Sequence, residues 1–140
     1  MKILLAVDGS EYTEKMLDYV VSHPTLFDPS QEYVVFHSPL ALPPHAKSVV
    51  GSNVVREYHE EESAKVLQPA LAKLAQSGLR ARSDWRPGPA AEAIASYAQE
   101  GKFDLVLMGS HGHGSLAQLV MGSVANTVLS HCTVPVLLIR

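Results

Sequence analysis

The chain has 140 residues, 46% hydrophobic and 18% charged, with a formal charge of −3 and a pI near 6.1. That length buries a core without covalent staples, and the composition excludes an intrinsically disordered chain. The acidic balance gives no support for wrapping nucleic acid or coating an anionic membrane.

Residues 3–7 form a short apolar run followed by Gly9 and Ser10, the pattern of a buried strand ending in a turn. Asp8 and Ser10 both suit a helix N-cap, with a capping box between Asp8 and Glu11 as one use of the carboxylate. Met16, Leu17, Val20 and Val21 then recur at helical spacing until His23-Pro24 stops the helix. Residues 33–36 predict a second strand, rich in β-branched and aromatic side chains.

The Pro-rich stretch 39–53 is the longest loop expected, the kind of segment that serves as a lid or stays disordered. A long helix is expected from Val54, with Ala64, Leu67, Leu71, Leu74 and Ala75 inward, a kink at Pro69 and Gly78 as C-cap. Residues 79–86 alternate and predict a half-exposed strand at a sheet edge. Pro87-Gly88-Pro89 turns into a helix carrying Ala90, Ile94, Tyr97 and Ala98 on one face. Residues 105–108 are continuously apolar, hence a strand buried on both sides; a Gly- and His-rich loop, a helix at about 123–131 and a last strand over 134–139 complete the chain.

Strands joined through helices run parallel, and right-handed crossovers leave few topologies, so the expected architecture is α/β: one open doubly wound domain over residues 1–140 with helices on both faces. The single cysteine, Cys132, permits neither an intramolecular disulfide nor a multi-cysteine metal site, and it reads as an inert small hydrophobe. The opening apolar run ends at Asp8, too short for a signal peptide, and nothing reaches membrane-span length, so a cytoplasmic location is expected.

Open sheets of this type bind ligands beyond the carboxyl ends of the strands where the winding reverses. That selects the strand end at Asp8 and the segment Met108-Gly109-Ser110-His111-Gly112-His113-Gly114. Nine residues separate Gly112 from Gly122-Ser123, which opens a helix whose free N–H groups and partial positive charge suit an anion. Glycines allow close backbone approach and unusual dihedrals. The alternative is that they turn a tight corner, with Ser123 a plain N-cap.

Gly109-x-x-Gly112, nine residues, then Gly122-Ser123 resembles the nucleotide-binding signature of the universal stress protein family. Residues 3–10, Val35-Phe36-His37, Gly88-Pro89 and residues 133–137 resemble that family's first strand, second strand, third-helix entry and last strand, leaving 39–53 poorly matched. The resemblance implies a five-stranded parallel sheet of order 3-2-1-4-5, of the adenine nucleotide alpha hydrolase-like, Rossmann-like type, a homodimer, and an adenine nucleotide as ligand: ATP, or ADP or AMP, with Mg bound through the phosphates. It implies that Asp8 bonds the adenosine part, where an acceptor-only carboxylate suits a ribose hydroxyl. Ala6, Val7, Ser38 and Met108 would line the adenine slot, Gly109 would approach the ribose and α-phosphate, and Gly112, Gly122, Ser123 and the Val124 amide would hold the remaining phosphates.

One departure from the pattern is chemical. No Lys or Arg occurs from residue 103 to 139, and His111 and His113 stand in the loop where many family members carry a cation. A triphosphate there relies on backbone N–H groups, a divalent cation and protonated histidine. A regulatory nucleotide-binding protein of stress response is the leading reading, against a slow ATPase or a nucleotide-free dimeric scaffold; the ATPase lacks a convincing carboxylate base and an arginine.

His45, His59, His111 and His113 match no metal-ligand spacing, His131 suits the dipole at its helix end, and Trp85 has no stacking partner in sequence. Glu60-Glu61-Glu62 reads as a solvated helix face. Residues 134–139 are apolar yet form an edge in the implied order, which predicts a two-fold partner pairing the same strand antiparallel.

Overall fold

A computed structural model describes residues 1–113 and 120–140; Gly114, part of the expected phosphate loop, lies outside the described residues. The elements run β1 (Lys2–Ala6), α1 (Glu11–Ser22), β2 (Glu32–His37), α2 (Pro44–Val50), α3 (Ser52–Gln76), β3 (Ala81–Trp85), α4 (Ala90–Glu100), β4 (Leu105–Gly109), α5 (Ser123–His131) and β5 (Val136–Ile139). All strands pair in parallel, in the order β3-β2-β1-β4-β5. The winding therefore reverses between β1 and β4.

Side chains of a strand alternate between faces, and both faces of this sheet are covered, which is why β1, β2 and β4 read as unbroken apolar runs. Ile3, Leu5, Tyr33, Val35 and Leu107 pack with Met16, Leu17 and Val20 of α1 and Leu67, Ala70 and Leu74 of α3. On the opposite face Leu4, Ala6, Val34, Phe36, Val106 and Met108 meet Ile94 and Ala98 of α4 and Ala125 and Val128 of α5. Each fully buried aliphatic or aromatic side chain contributes roughly 1.5–3 kcal/mol of transfer free energy, so these two layers dominate the stability of the fold.

The edges differ. β3 carries exposed Arg82, Ser83 and Asp84, charges that discourage further strand pairing. β5 has only Val136, Leu137, Leu138 and Ile139, all partly buried.

The stretch 39–53 is not a continuous loop. α2 occupies Pro44–Val50 without burying a residue, and Gly51, at φ +84°, separates it from α3, which begins at Ser52 rather than Val54. Pro43-Pro44 looked like a breaker, but Pro at the first helical position costs nothing, since that N–H has no helical partner. The inward face of α3 is also rotated from expectation. Val55, His59, Ser63, Leu67, Ala70 and Leu74 are buried, whereas Ala64 and Leu71 are half-buried and Ala75 is exposed. His59 and Ser63 put polar side chains on the buried stripe, and the apolar periodicity pointed one position aside. Among the described residues neither ring nitrogen of His59 nor the Ser63 hydroxyl has a hydrogen-bond partner, which costs roughly 1–3 kcal/mol for each unsatisfied group.

α3 continues through Pro69 to Gln76. It ends in a Schellman motif: Gly78 at φ +79° donates to the Ala75 carbonyl, and the Leu79 N–H to that of Leu74, both at 3.0 Å. Among the described residues no helix is long and apolar enough to cross a membrane.

Candidate functional site

A cavity of about 680 Å³ opens at the switch point between the carboxyl ends of β1 and β4, within the usual range for small-molecule sites. Every site residue expected from sequence lines it: Ala6, Val7, Asp8 and Ser38; Met108, Gly109, His111, Gly112 and His113; and Gly122, Ser123 and Val124. Segments more than a hundred residues apart therefore meet in one recess, because the crossover from β1 to β4 places their tips side by side.

At the β1 side, backbone bonds set the wall. The Val7 N–H donates to the Phe36 carbonyl at 2.9 Å, and His37 Nδ1 lies 2.9 Å from the Val7 carbonyl. The Ser38 hydroxyl donates to the Gly88 carbonyl at 3.2 Å, so it lines the cavity with its proton already engaged. With Ala6, Phe36, Ile94 and Met108 alongside, this part of the recess is apolar.

Asp8 sits at the centre. Its Oδ1 accepts the Ser10 N–H and the Thr13 hydroxyl, each at 2.9 Å, while Thr13 Oγ1 accepts the Asp8 N–H at 2.9 Å. The carboxylate thus partners Ser10 and Thr13, and the alternative of a capping box with Glu11 is not formed. Ser10 holds the N-cap position of α1 without a side-chain cap bond. Burial pushes the Asp8 carboxyl upward, but hydrogen bonds from Ser10 and Thr13 and the charge of His113 outweigh it, leaving the group below its ordinary value and ionised.

The loop after β4 is tied across the recess. His113 Nε2 lies 2.7 Å from the Asp8 carbonyl oxygen, Ser110 Oγ lies 2.9 Å from His111 Nδ1, and the Tyr12 and His111 rings stand 5.0 Å apart. The Gly122 N–H donates to the Ser110 carbonyl at 2.7 Å, which fixes the start of α5 against the strand end.

The glycines behave differently from expectation. Gly109, Gly112 and Gly122 are not among the positive-φ residues; Gly9, at φ +78°, is. What requires them is close packing within the protein. A Cβ on Gly112 would stand 2.5 Å from Asp8 Oδ2, one on Gly109 2.5 Å from Tyr12 Cβ, and one on Gly122 3.1 Å from His111 Cα. They draw the loop onto β1 and α1, and the cavity remains open beside them.

Gly122, rather than Ser123, is the N-cap of α5; it offers no side-chain cap, and the first turn holds no acidic residue. The leading N–H groups of this helix have no helical acceptor, and its terminus carries about half a positive charge. That is an anion site by construction.

Sequence reasoning missed the α3 wall. Tyr58, Glu62 and Val66, each four residues apart, line the cavity together with Thr13, Pro39 and Leu40. The four-residue spacing was visible, but Glu62 had been grouped with Glu60 and Glu61 as solvated. Those two are exposed; Glu62 is half-buried and pairs with Lys65 at 2.9 Å. Trp85 has a partner in the fold: its ring lies 5.8 Å from that of His59. At the far end of α5, His131 Nδ1 lies 2.9 Å from the Thr127 carbonyl, satisfying a terminal acceptor.

The fold and recess define a doubly wound α/β protein whose cavity sits at the topological switch point. The chain belongs to the universal stress protein family, whose model matches residues 1–140. Universal stress protein YxiE of Bacillus subtilis is 30% identical, over 99% of this chain and 98% of that protein. Among solved structures, MJ0577 of Methanocaldococcus jannaschii superposes with a TM-score of 0.77 at 26% identity, covering 99% of this chain and 94% of that one. A universal stress protein from Archaeoglobus fulgidus in complex with dAMP gives a TM-score of 0.71 at 22% identity, over 100% and 98% of the two chains. Other family structures of this fold hold cAMP or AMP.

Proposed function

We propose that this chain is a nucleotide-binding regulator of stress response that takes up an adenine nucleotide in the switch-point cavity. The observation that carries this reading is the convergence of all twelve expected residues on one open recess that ends at the uncapped terminus of α5. In this reading the base lies among Ala6, Val7, Ser38 and Met108, and Asp8 faces the ribose. Gly109, Gly112, Gly122, Ser123 and the Val124 amide receive the phosphates, with His111 and His113 beside them.

ATP, ADP and AMP all fall within this class. Magnesium would enter on the phosphates, because among the described residues no three His, Cys, Asp or Glu side chains converge on one point. Occupancy would act through Pro39 and Leu40, which line the cavity and lead into α2, a helix that buries nothing of its own. A change there alters the surface offered to a cytoplasmic partner.

The apolar edge β5 supports a homodimer in which two copies of this strand pair antiparallel. Light scattering at about tens of micromolar should return twice the chain mass, and a monomer at that concentration overturns the dimer.

Titration calorimetry with adenosine, AMP, ADP and ATP in magnesium tests the ligand. Saturable heat from at least one nucleotide is expected; silence from all four overturns the reading and leaves the scaffold.

A further inference from the structure

We infer that this cavity selects its nucleotide by phosphate charge, accepting a monophosphate and discriminating against a polyphosphate unless a divalent cation accompanies it. The inference rests on the adenine-nucleotide reading above and deepens it.

The charges around the recess carry the argument. The residues lining it include two carboxylates, Asp8 and Glu62, and neither a lysine nor an arginine. The sequence extends that statement through the whole loop, since residues 103–139 contain no Lys or Arg at all. His37, His111 and His113 are its only titratable bases among the described lining residues. Asp8 is held ionised by Ser10, Thr13 and His113, so its negative charge is permanent at neutral pH.

Two cations on the flanking helices, Lys65 and Lys15, are already engaged. Lys65 is 70% exposed and bound to Glu62 at 2.9 Å, and Lys15 stands 4.7 Å from the centroid of the Tyr12 ring. Neither lines the cavity.

The fixed positive potential available to a ligand among the described lining residues is therefore one helix terminus, equivalent to roughly half a charge, with the histidines beside it. A phosphate monoester carries about −1.5 to −2 at neutral pH. One such group can be seated on the amides of Ser123 and Val124. Each further phosphate adds negative charge and meets, among the described lining residues, only backbone amides and histidine, in a recess that already holds Asp8 and the Lys65-paired Glu62. At the separations inside such a cavity that repulsion weakens binding by on the order of tenfold between AMP and ATP. A divalent cation on the polyphosphate removes the penalty.

Calorimetric titration of the whole protein with adenosine, AMP, ADP and ATP in EDTA, then in magnesium, decides it. The expected order in EDTA is AMP tightest and ATP weakest by about tenfold, with magnesium raising ATP affinity and leaving AMP nearly unchanged. Glu62→Gln, a substitution on a half-exposed helix position, should strengthen ATP several-fold and AMP less. His113→Arg, which places a fixed charge in the loop, should do the same more strongly. ATP binding as tightly as AMP in EDTA overturns the charge selection while leaving the adenine-nucleotide reading intact. Failure of all four ligands under both conditions overturns that underlying reading as well. If neither variant shifts the ATP-to-AMP ratio, the selection does not come from these charges and the inference falls.

Discussion

Two helices begin at the same crevice with no side-chain cap bond, and they differ in the charge placed around their first turns. α1 starts beside Asp8, whose carboxylate accepts from Ser10 and Thr13, and it carries Glu11 and Glu14 in its first turn. α5 starts at Gly122 with no side-chain cap and no acid in its first turn. The first terminus has the protein's own carboxylates beside it; the second has none in its first turn. An Asp, Ser or Thr at position 122 would cap α5 at a gain of about 1 kcal/mol, a bond that the glycine there cannot make.

Making α5 resemble α1 should break this contrast most completely. Gly122→Asp supplies the missing cap and places a carboxylate where phosphate is proposed to sit. The capping gain and the shift forced on His111, whose Cα lies 3.1 Å from the new Cβ, should roughly cancel, leaving stability within about 1 kcal/mol of the parent. Nucleotide affinity should fall by about a hundredfold or more, the loss of two charge-assisted bonds. A thermal melt and a titration on the same sample check both halves. Unchanged affinity would mean that the α5 terminus is not where the anion binds.

The reverse change strips α1. Asp8→Ala leaves the Ser10 N–H and the Thr13 hydroxyl without their acceptor and should cost about 2 kcal/mol in denaturant unfolding. It also changes the acid limb. The folded-state Asp8 carboxyl lies below its ordinary value of 3.8, so its stabilising contribution is present above that pH and is lost as pH falls through the folded value. The parent should therefore lose more stability than the variant between neutral pH and pH 3. Parallel acid limbs would show that Asp8 is not the titrating group.

Gly112→Ala tests what joins the two termini. Its Cβ would stand 2.5 Å from Asp8 Oδ2, and overpacking of that kind costs roughly 1–3 kcal/mol. Because the strain falls between the loop and Asp8, pairing it with Asp8→Ala should give a double-mutant cost well below the sum of the two, read from denaturant midpoints.

The contrast also explains which features could be seen in the sequence. β1, β2 and β4 were legible because covering both faces of a strand leaves an unbroken apolar run, and Gly122-Ser123 marked the start of α5 because small residues there leave amides open. α2 and the inward face of α3 are masked in the sequence for one reason. α2 hides behind Pro43-Pro44, and the register of α3 hides behind His59 and Ser63, polar residues on a buried stripe. Apolar periodicity detects a helix face only when burial and apolarity coincide, and on α3 they do not. The same mismatch concealed Tyr58, Glu62 and Val66, which turn toward the cavity while the neighbouring face turns toward the core. The loop glycines were found for a reason the fold revises: they admit Asp8 and Tyr12 rather than an unusual backbone.

The smallest change probes α5 alone. Ser123 is the first helical residue, it lines the cavity, and it is not the cap. Removing that hydroxyl leaves every backbone N–H of the terminus in place. If the site works chiefly through main-chain amides and the helix dipole, Ser123→Ala should weaken AMP by only about three- to tenfold, the value of one neutral hydrogen bond, and should leave the melting temperature unchanged. A loss approaching that of Gly122→Asp would transfer the anion-binding role from the backbone to this side chain. The contrast between the two helix ends would then come down to one hydroxyl rather than to the presence or absence of carboxylates in the first turn.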